Sequence, residues 1–329
     1  MVNKKEAYLC LSAMLRAREP KLLSLEKAKR MVDASSFEEA AKSLAELGYA
    51  DMSDMQAVQI NNVLSEHVSE IFDEIDRLSP DSITDIFRIK YDYHNTKVII
   101  KSEAQGIKAD NLLSNLGRIK PDQLKGYYYN EQYKFMPGKL GEAMAEAKAV
   151  LARSANPQMM DFYLDGMCFE EIRLLAAELD NAFVMGYYRI LTDSANLKSI
   201  VRALRMEKSA AFMNDAVLDG GMAEKSEIIS NYGNDDVFKL FSKSNLSGAP
   251  EKALTASKGG SLTEFELECD NAVNAYLRKA KYANYGCEPV IAYLAAVEGE
   301  VTVVRMILTG RLAGVKGDIL KERLRDMYA

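Results

Sequence analysis

The run Asp92-Tyr-His-Asn-Thr-Lys97 gathers a carboxylate, an imidazole, an amide and an ammonium, a set that can do general acid–base work if the side chains converge. The Asp-x-x-Asn-x-Lys pattern returns at Asp193-Ser-Ala-Asn196-Leu-Lys198, where Ala195 stands in the place of His94. Duplicated chemistry would keep its proton carrier. The repeat therefore favours a polar network between helices, in which Asp92, Asn95 and Lys97 satisfy caps and backbone groups. A single acid–base site at His94 is the sharper alternative, and loss of a turnover in His94→Ala would reveal it.

Other chemistries fail on residue requirements. Gly138-Lys139 is followed by Leu140, so the hydroxyl of a phosphate-binding Gly-x-x-x-x-Gly-Lys-Ser/Thr loop is missing, and no Gly-x-Gly-x-x-Gly occurs. A di-iron bundle needs Glu three residues before His, but Leu64 precedes His67 and Tyr91 precedes His94. These are the only two histidines, which argues against a histidine-rich metal site. The acidic run Asp73-Glu74-Ile75-Asp76 reads as a solvated helix face. Tyr127-Tyr128-Tyr129 and Tyr187-Tyr188 read first as buried tyrosines with paired hydroxyls, and the sixteen methionines as adaptable packing. No catalytic, cofactor-binding or metal-ligating residue is assigned.

The elements that hold these residues read as helices. From Met55 to Leu78, Leu64, Val68, Ile71, Ile75 and Leu78 recur at helical spacing, with Glu66, Glu70, Asp73, Glu74 and Asp76 on the other faces. Ser79-Pro-Asp-Ser82 breaks the chain, and a second helix runs from Ile83 to about Ala104. A like pair spans Cys168 to Arg205, with Leu175, Leu179, Phe183, Ile190, Leu197, Val201 and Leu204 as its apolar stripe. A third spans Leu262 to Leu312, broken at Tyr285-Gly-Cys-Glu-Pro289, and its first helix is lined by Leu262, Phe265, Cys269, Ala272 and Tyr276. Nothing alternates with period two between hairpin turns, so the expected fold class is all-α.

The polar marks suggest three copies of about a hundred residues. Leu179-Asp-Asn-Ala182 matches Cys269-Asp-Asn-Ala272, and the third Asp/Asn/Lys signature is decayed to Glu300-Val-Thr-Val-Val304, with Thr302 replacing the lysine. Shorter amphipathic pieces fill Leu22 to Tyr49, Gly106 to Leu151 and Met213 to Gly260, the last being the most loop-rich. Such an array predicts a ring-like or funnel-like domain, with an open solenoid as the alternative.

Composition bounds the function classes. The 329 residues are 48% hydrophobic and 27% charged, enough to bury a large core. Net charge is −6, and no basic tract with interleaved aromatics suggests nucleic-acid binding. Cys10, Cys168, Cys269 and Cys287 are too far apart for a redox or zinc pair and read as reduced core thiols. The apolar patch Ala7 to Leu11 is too brief for a secretory core, so a cytoplasmic protein is expected. The longest apolar run, Val290 to Val297, is too short to span a bilayer, so any membrane association is expected to be peripheral.

The block Phe87-Arg-Ile-Lys-Tyr-Asp-Tyr-His-Asn-Thr-Lys97, the stretch Tyr187-Tyr-Arg-Ile-Leu-Thr-Asp-Ser-Ala-Asn-Leu-Lys198, and Glu288-Pro-Val-Ile-Ala-Tyr-Leu-Ala-Ala-Val-Glu-Gly-Glu-Val301 followed by Arg305-Met-Ile-Leu-Thr-Gly-Arg-Leu312 resemble the C subunit of archaeal and bacterial V-type (A-type) ATPases. The vacuolar enzyme's equivalent is its d subunit. The likeness runs from Ser12-Ala-Met-Leu-Arg-Ala-Arg18 to Arg323-Leu-Arg325. It implies one funnel-shaped domain, 1–329, of three pseudo-repeats (1–115, 116–212 and 213–329) around a pseudo-three-fold axis. It also implies a non-catalytic central-stalk role on the cytoplasmic face of the membrane. The partners so implied are the central shaft subunits, equivalents of D and F, and the membrane proteolipid rotor ring, coupled to H+ or Na+ transport. The resemblance makes Asp92, Asn95, Lys97, Asp193, Asn196 and Lys198 scaffold rather than contact surface. Thr302 departs from the pattern, and no partner-binding residue is carried over. The alternative is a free-standing helical-repeat adaptor that binds partner helices.

Overall fold

Hydroxyl, amide and proline residues set where the helices begin. In the computed structural model, which describes residues 5–329, α1 (Leu9–Arg18) follows a 3-10 turn at Glu6–Tyr8. Ser24 and Ser36 cap α2 (Leu25–Asp33) and α3 (Phe37–Lys42), each hydroxyl accepting the N–H of the third residue on, Lys27 and Glu39. At α4 (Ala57–Leu78) the Gln59 side chain accepts the N–H of Gln56, and α5 (Asp85–Gln105) follows the Ser-Pro-Asp-Ser break. Proline at the first position, where no N–H is needed, opens α6 (Pro121–Tyr129) and α8 (Pro157–Glu178), with α7 (Leu140–Ser154) between them.

Asn181 caps α9 (Ala182–Arg205) by accepting from Phe183 and Val184, and Ser209 caps α10 (Ala210–Ala216). Next come α11 (Lys225–Asn231), a 3-10 stretch at Asp235–Lys243 and α12 (Ala249–Ser257), the turns among them using Gly220, Gly233 and Gly259 at positive φ. Ser261 caps α13 (Leu262–Arg278), and α14 (Cys287–Leu312) and α15 (Gly317–Lys321) complete the described chain. There is no strand among the described residues, and the fold is all-α.

Two sequence boundaries and one apolar stripe shift. The helix before Arg205's starts at Pro157, well ahead of Cys168, because Met160 and Leu164 carry the buried stripe back to that proline. Pro289 lies in the first turn of α14 instead of in the break, since a first-turn proline forfeits no helical hydrogen bond. On α4 the inward stripe is Ile60, Leu64, Val68, Phe72 and Ile75, and Leu78 is half exposed. The larger Phe72 takes the inward place given to Ile71.

The described chain forms two compact units, residues 5–84 with 261–329, and residues 85–260. In the first, α14 is the central helix and packs against α1, α2, α3, α4 and α13. It buries residues on every side, from Val290, Ile291 and Leu294 to Val304 and Ile307, which is why its sequence is apolar all round. No helix among the described residues is long and apolar enough to cross a membrane. In the second unit α8 is central, packing on α5, α7, α9 and α10. All four cysteines are free thiols, and Cys168, Cys269 and Cys287 are buried. Cys10 departs from the expected core placement and is exposed, because Leu11, Ser12 and Leu15 are the inward residues of α1.

Candidate functional site

The residues singled out by the repeat do converge, but on backbone. On α5, Asn95 makes a two-way clamp: its Nδ2 donates to the Ser114 carbonyl and its Oδ1 accepts the Ser114 N–H, both at 2.8 Å. One turn earlier Asp92, fully buried, accepts from the Arg118 Nε at 2.6 Å and the Ile119 N–H at 3.4 Å. On α9, Asn196 clamps Leu218 in the same two-way fashion at 2.9 and 2.8 Å, and Asp193 accepts the N–H groups of Met222 and Ala223. The helix signature thus fixes the loop that follows its own helix. Each loop keeps a glycine three residues after the clamped residue. A Cβ on Gly117 would come within 2.2 Å of the Asp92 Oδ1, and one on Gly221 within 2.2 Å of the Asp193 Oδ1. Sequence reading missed both glycines, although the matching spacing Ser114-x-x-Gly117 and Leu218-x-x-Gly221 was the signal.

The third mark has lost its aspartate and lysine, whose places are Val297 and Thr302, but keeps a buried polar group at the asparagine's place. Glu300 stands at the place of Asn95 and Asn196, is buried, and accepts the Leu23 N–H and the Tyr49 hydroxyl, each at 2.5 Å. A carboxylate offers only acceptors, so it takes an N–H and an O–H where the asparagines exchange a donor and an acceptor with one residue. Its partners lie near the start of the chain and not in the segment that follows α14. Thr302, at the lysine's place, is exposed and donates to the Glu298 carbonyl within its own helix.

The copies differ in charge compensation. Arg118 bridges Asp92 and Glu171, at 2.6 and 2.7 Å, and Tyr93 donates to Glu171 at 2.8 Å, so a cation sits between two buried carboxylates. Lys97 reaches across to Asp165 on α8 at 2.6 Å. Burial raises the Asp92 carboxyl above its usual range, with Arg118 opposing. At Asp193 burial pushes the carboxyl up to about 6, against the opposing N–H bonds of Met222 and Ala223.

Asp193 gives a test with a defined sign. Its folded pKa lies above the unfolded one, so the folded state holds the proton more tightly and wild-type stability falls as pH rises from about 4 through about 6. Asp193→Asn keeps an acceptor for the Met222 N–H and removes the titration. Urea unfolding at several pH values should show the variant gaining on wild type by about 1–3 kcal/mol between pH 4 and 7.5. A wild-type-to-variant difference that stays flat with pH would overturn this.

His94 does not join the cluster. It is exposed and its Nε2 lies 2.9 Å from the Leu112 carbonyl, whereas Asp92 is turned inward. His67 lies against the Tyr49 ring, centroids 4.4 Å apart, and desolvation lowers its pKa. The acidic run on α4 is less solvated than expected: Glu74 makes a two-point pair with Arg18 at 2.6 and 2.8 Å, and Asp76 accepts from the Thr84 hydroxyl. Tyr128, Tyr187 and Tyr188 are buried as expected, but Tyr129 is exposed. The arrangement holds backbone in place, and it sets no nucleophile or proton carrier beside an acceptor.

The sequence matches the family described as ATP synthase (C/AC39) subunit over residues 11–323. It is similar to the C subunit of the V-type sodium ATPase of Enterococcus hirae, 24% identical over 324 residues, covering 98% of this chain and 99% of that protein. It is also similar to the C subunit of the A-type ATP synthase of Methanocaldococcus jannaschii, 22% identical over an alignment of 352 residues, covering 98% of this chain and 88% of that protein.

Proposed function

The chain belongs to the ATP synthase (C/AC39) subunit family, as a structural and not a catalytic subunit of a V/A-type rotary ATPase, and from that premise we propose that it is the part that couples the complex's rotating central shaft to its membrane proteolipid ring. It transmits torque between nucleotide chemistry and ion movement, and works at the cytoplasmic face. The observation that carries this reading is the family match across nearly the whole chain. The clamps support it. A torque-bearing part needs stiffness, and Asn95, Asn196 and Glu300 each remove freedom from a connecting segment by satisfying its buried backbone groups. Three such clamps at matching places on α5, α9 and α14 also support three pseudo-repeats.

Native mass spectrometry of the complex, gently extracted from its membrane, tests the reading. One copy of this chain should travel with shaft and proteolipid subunits. If it emerges alone, or with unrelated proteins, the coupling role falls and the adaptor takes its place.

A further inference from the structure

The Asp-Asn mark shared by Asp180-Asn181 and Asp270-Asn271 does two different jobs. Asn181 caps α9, whereas Asn271 lies inside α13, where no cap is needed, and its Oδ1 accepts the Asp326 N–H at 2.8 Å. One turn on, the Asn274 Nδ2 donates to the Asp326 carbonyl at 2.6 Å, so two amides hold both backbone groups of one residue. Arg278 donates to the Met327 carbonyl and lies 3.7 Å from the Asp326 carboxylate, and Asp270 pairs with Arg325. Asn271, Asn274 and Arg278 recur at helical spacing and form one polar face of α13.

What this face holds is a segment without structure of its own. Residues 324–329 adopt no helix, and among the described residues no backbone-to-backbone hydrogen bond involves residues 325–329. Leu324, Met327 and Tyr328 are buried nonetheless. Tyr328 enters a receptor built without it, because Arg16 pairs with Glu19 at 2.6 Å and donates to the carbonyls of Ala280 and Ala283. The Tyr328 hydroxyl then donates to Glu19 at 3.0 Å, and the Lys281 Nζ sits 4.9 Å from its ring centroid. The fit is incomplete upstream, where a cavity of about 300 Å³ remains beside Arg323 and Arg325, walled by Thr263, Glu266 and Leu267 of α13 and Met306 of α14. Main-chain bonds that give affinity and pockets that select side chains are how a protein reads a bound peptide. A segment with no internal bonding can also leave without breaking a helix.

We propose that this face of α13, with the Arg16–Glu19 pair, is a linear-peptide docking site which the chain's own residues 323–328 occupy as a detachable strap, and which takes a partner peptide of the pattern Arg-Asp-apolar-Tyr when the strap is off. The assignment concerns the first unit alone, and stands whether or not the chain couples a shaft to a ring.

The test keeps the chain at full length and weakens only the strap, by Met327→Gly with Tyr328→Gly, so that the groove residues are untouched. The probe is a fluorescently labelled peptide of residues 320–329, with a scrambled peptide as control. Anisotropy should show the double-glycine variant binding the probe at least tenfold tighter than wild type, whose own strap competes at an effective concentration on the order of millimolar. Adding Asn271→Ala and Asn274→Ala to that variant should weaken binding tenfold or more. Hydrogen exchange on the wild-type chain gives an independent readout, because the Asp326 N–H reports release of the strap. It should be protected at least a hundredfold less than the interior of α14, and its exchange should not respond to low urea, as expected of a local opening. No binding by a folded double-glycine variant would overturn the proposal, as would equal binding of the scrambled peptide. Loss of the variant's helical circular dichroism would overturn it too, and so would an Asp326 N–H protected as well as α14, since the segment would then be part of the core and not a strap.

Discussion

Replacing Arg118 by methionine should cost about 3–5 kcal/mol of unfolding free energy, because it strips the counter-charge from two carboxylates that have left water. Asp92 is fully buried and Glu171 nearly so, and Arg118 is the group that bridges them. Their attraction to the guanidinium repays a desolvation cost that persists when the cation is removed. The pH dependence follows from the same physics. Burial already raises Asp92, and Arg118 is the largest opposing influence. Without it the Asp92 carboxyl holds its proton more tightly in the folded state, so the deficit should be full at pH 7.5 and shrink as pH falls toward 4.5. Urea midpoints of wild type and Arg118→Met across that range measure it. A loss below about 1 kcal/mol, or one independent of pH, would mean that the triad contributes little. The triple variant Arg118→Met, Asp92→Asn, Glu171→Gln should recover much of the loss, since no unpaired charge then remains buried.

The long helices were legible because their apolar residues recur at helical spacing and because caps and prolines mark their starts. Ser261 stands directly before the start read at Leu262, whereas Pro157 opens its helix well ahead of the Cys168 start that the apolar stripe suggested. The polar signature was legible as a repeat, and its reading as scaffold followed from Ala195 standing where His94 does. What sequence could not supply was the other half of each interaction. Asn95 meets backbone groups of Ser114, and a backbone N–H or carbonyl is the same at every residue, so no side-chain pattern names the partner. Only the required absence of a side chain at Gly117 and Gly221 leaves a trace.

Glu300 carries the second large effect, and it ties the last long helix to the first segment of the chain. Its carboxylate accepts from the Leu23 N–H just before α2 and from the Tyr49 hydroxyl in the segment between α3 and α4. Glu300→Ala would leave a buried N–H and a buried hydroxyl without acceptors, and open a void in the core of the first unit. Each orphaned group costs about 1–3 kcal/mol, so a loss near 3–4 kcal/mol is expected. The failure should be local before it is global. Hydrogen exchange should quicken first over residues 22–49, which α14 no longer holds, while the interior of α8 in the second unit keeps its protection. Glu300→Gln separates acceptor from charge. The amide still accepts the Leu23 N–H, and burial raises the Glu300 carboxyl, so the wild type forfeits stability as pH climbs through its folded pKa whereas the glutamine variant does not. Glu300→Gln should therefore match or exceed wild type at pH 7.5 and gain nothing at pH 4. Uniform exchange across both units in Glu300→Ala, or equal losses in the alanine and glutamine variants, would show that the chain's ends are held by apolar packing on α14 and not by this carboxylate.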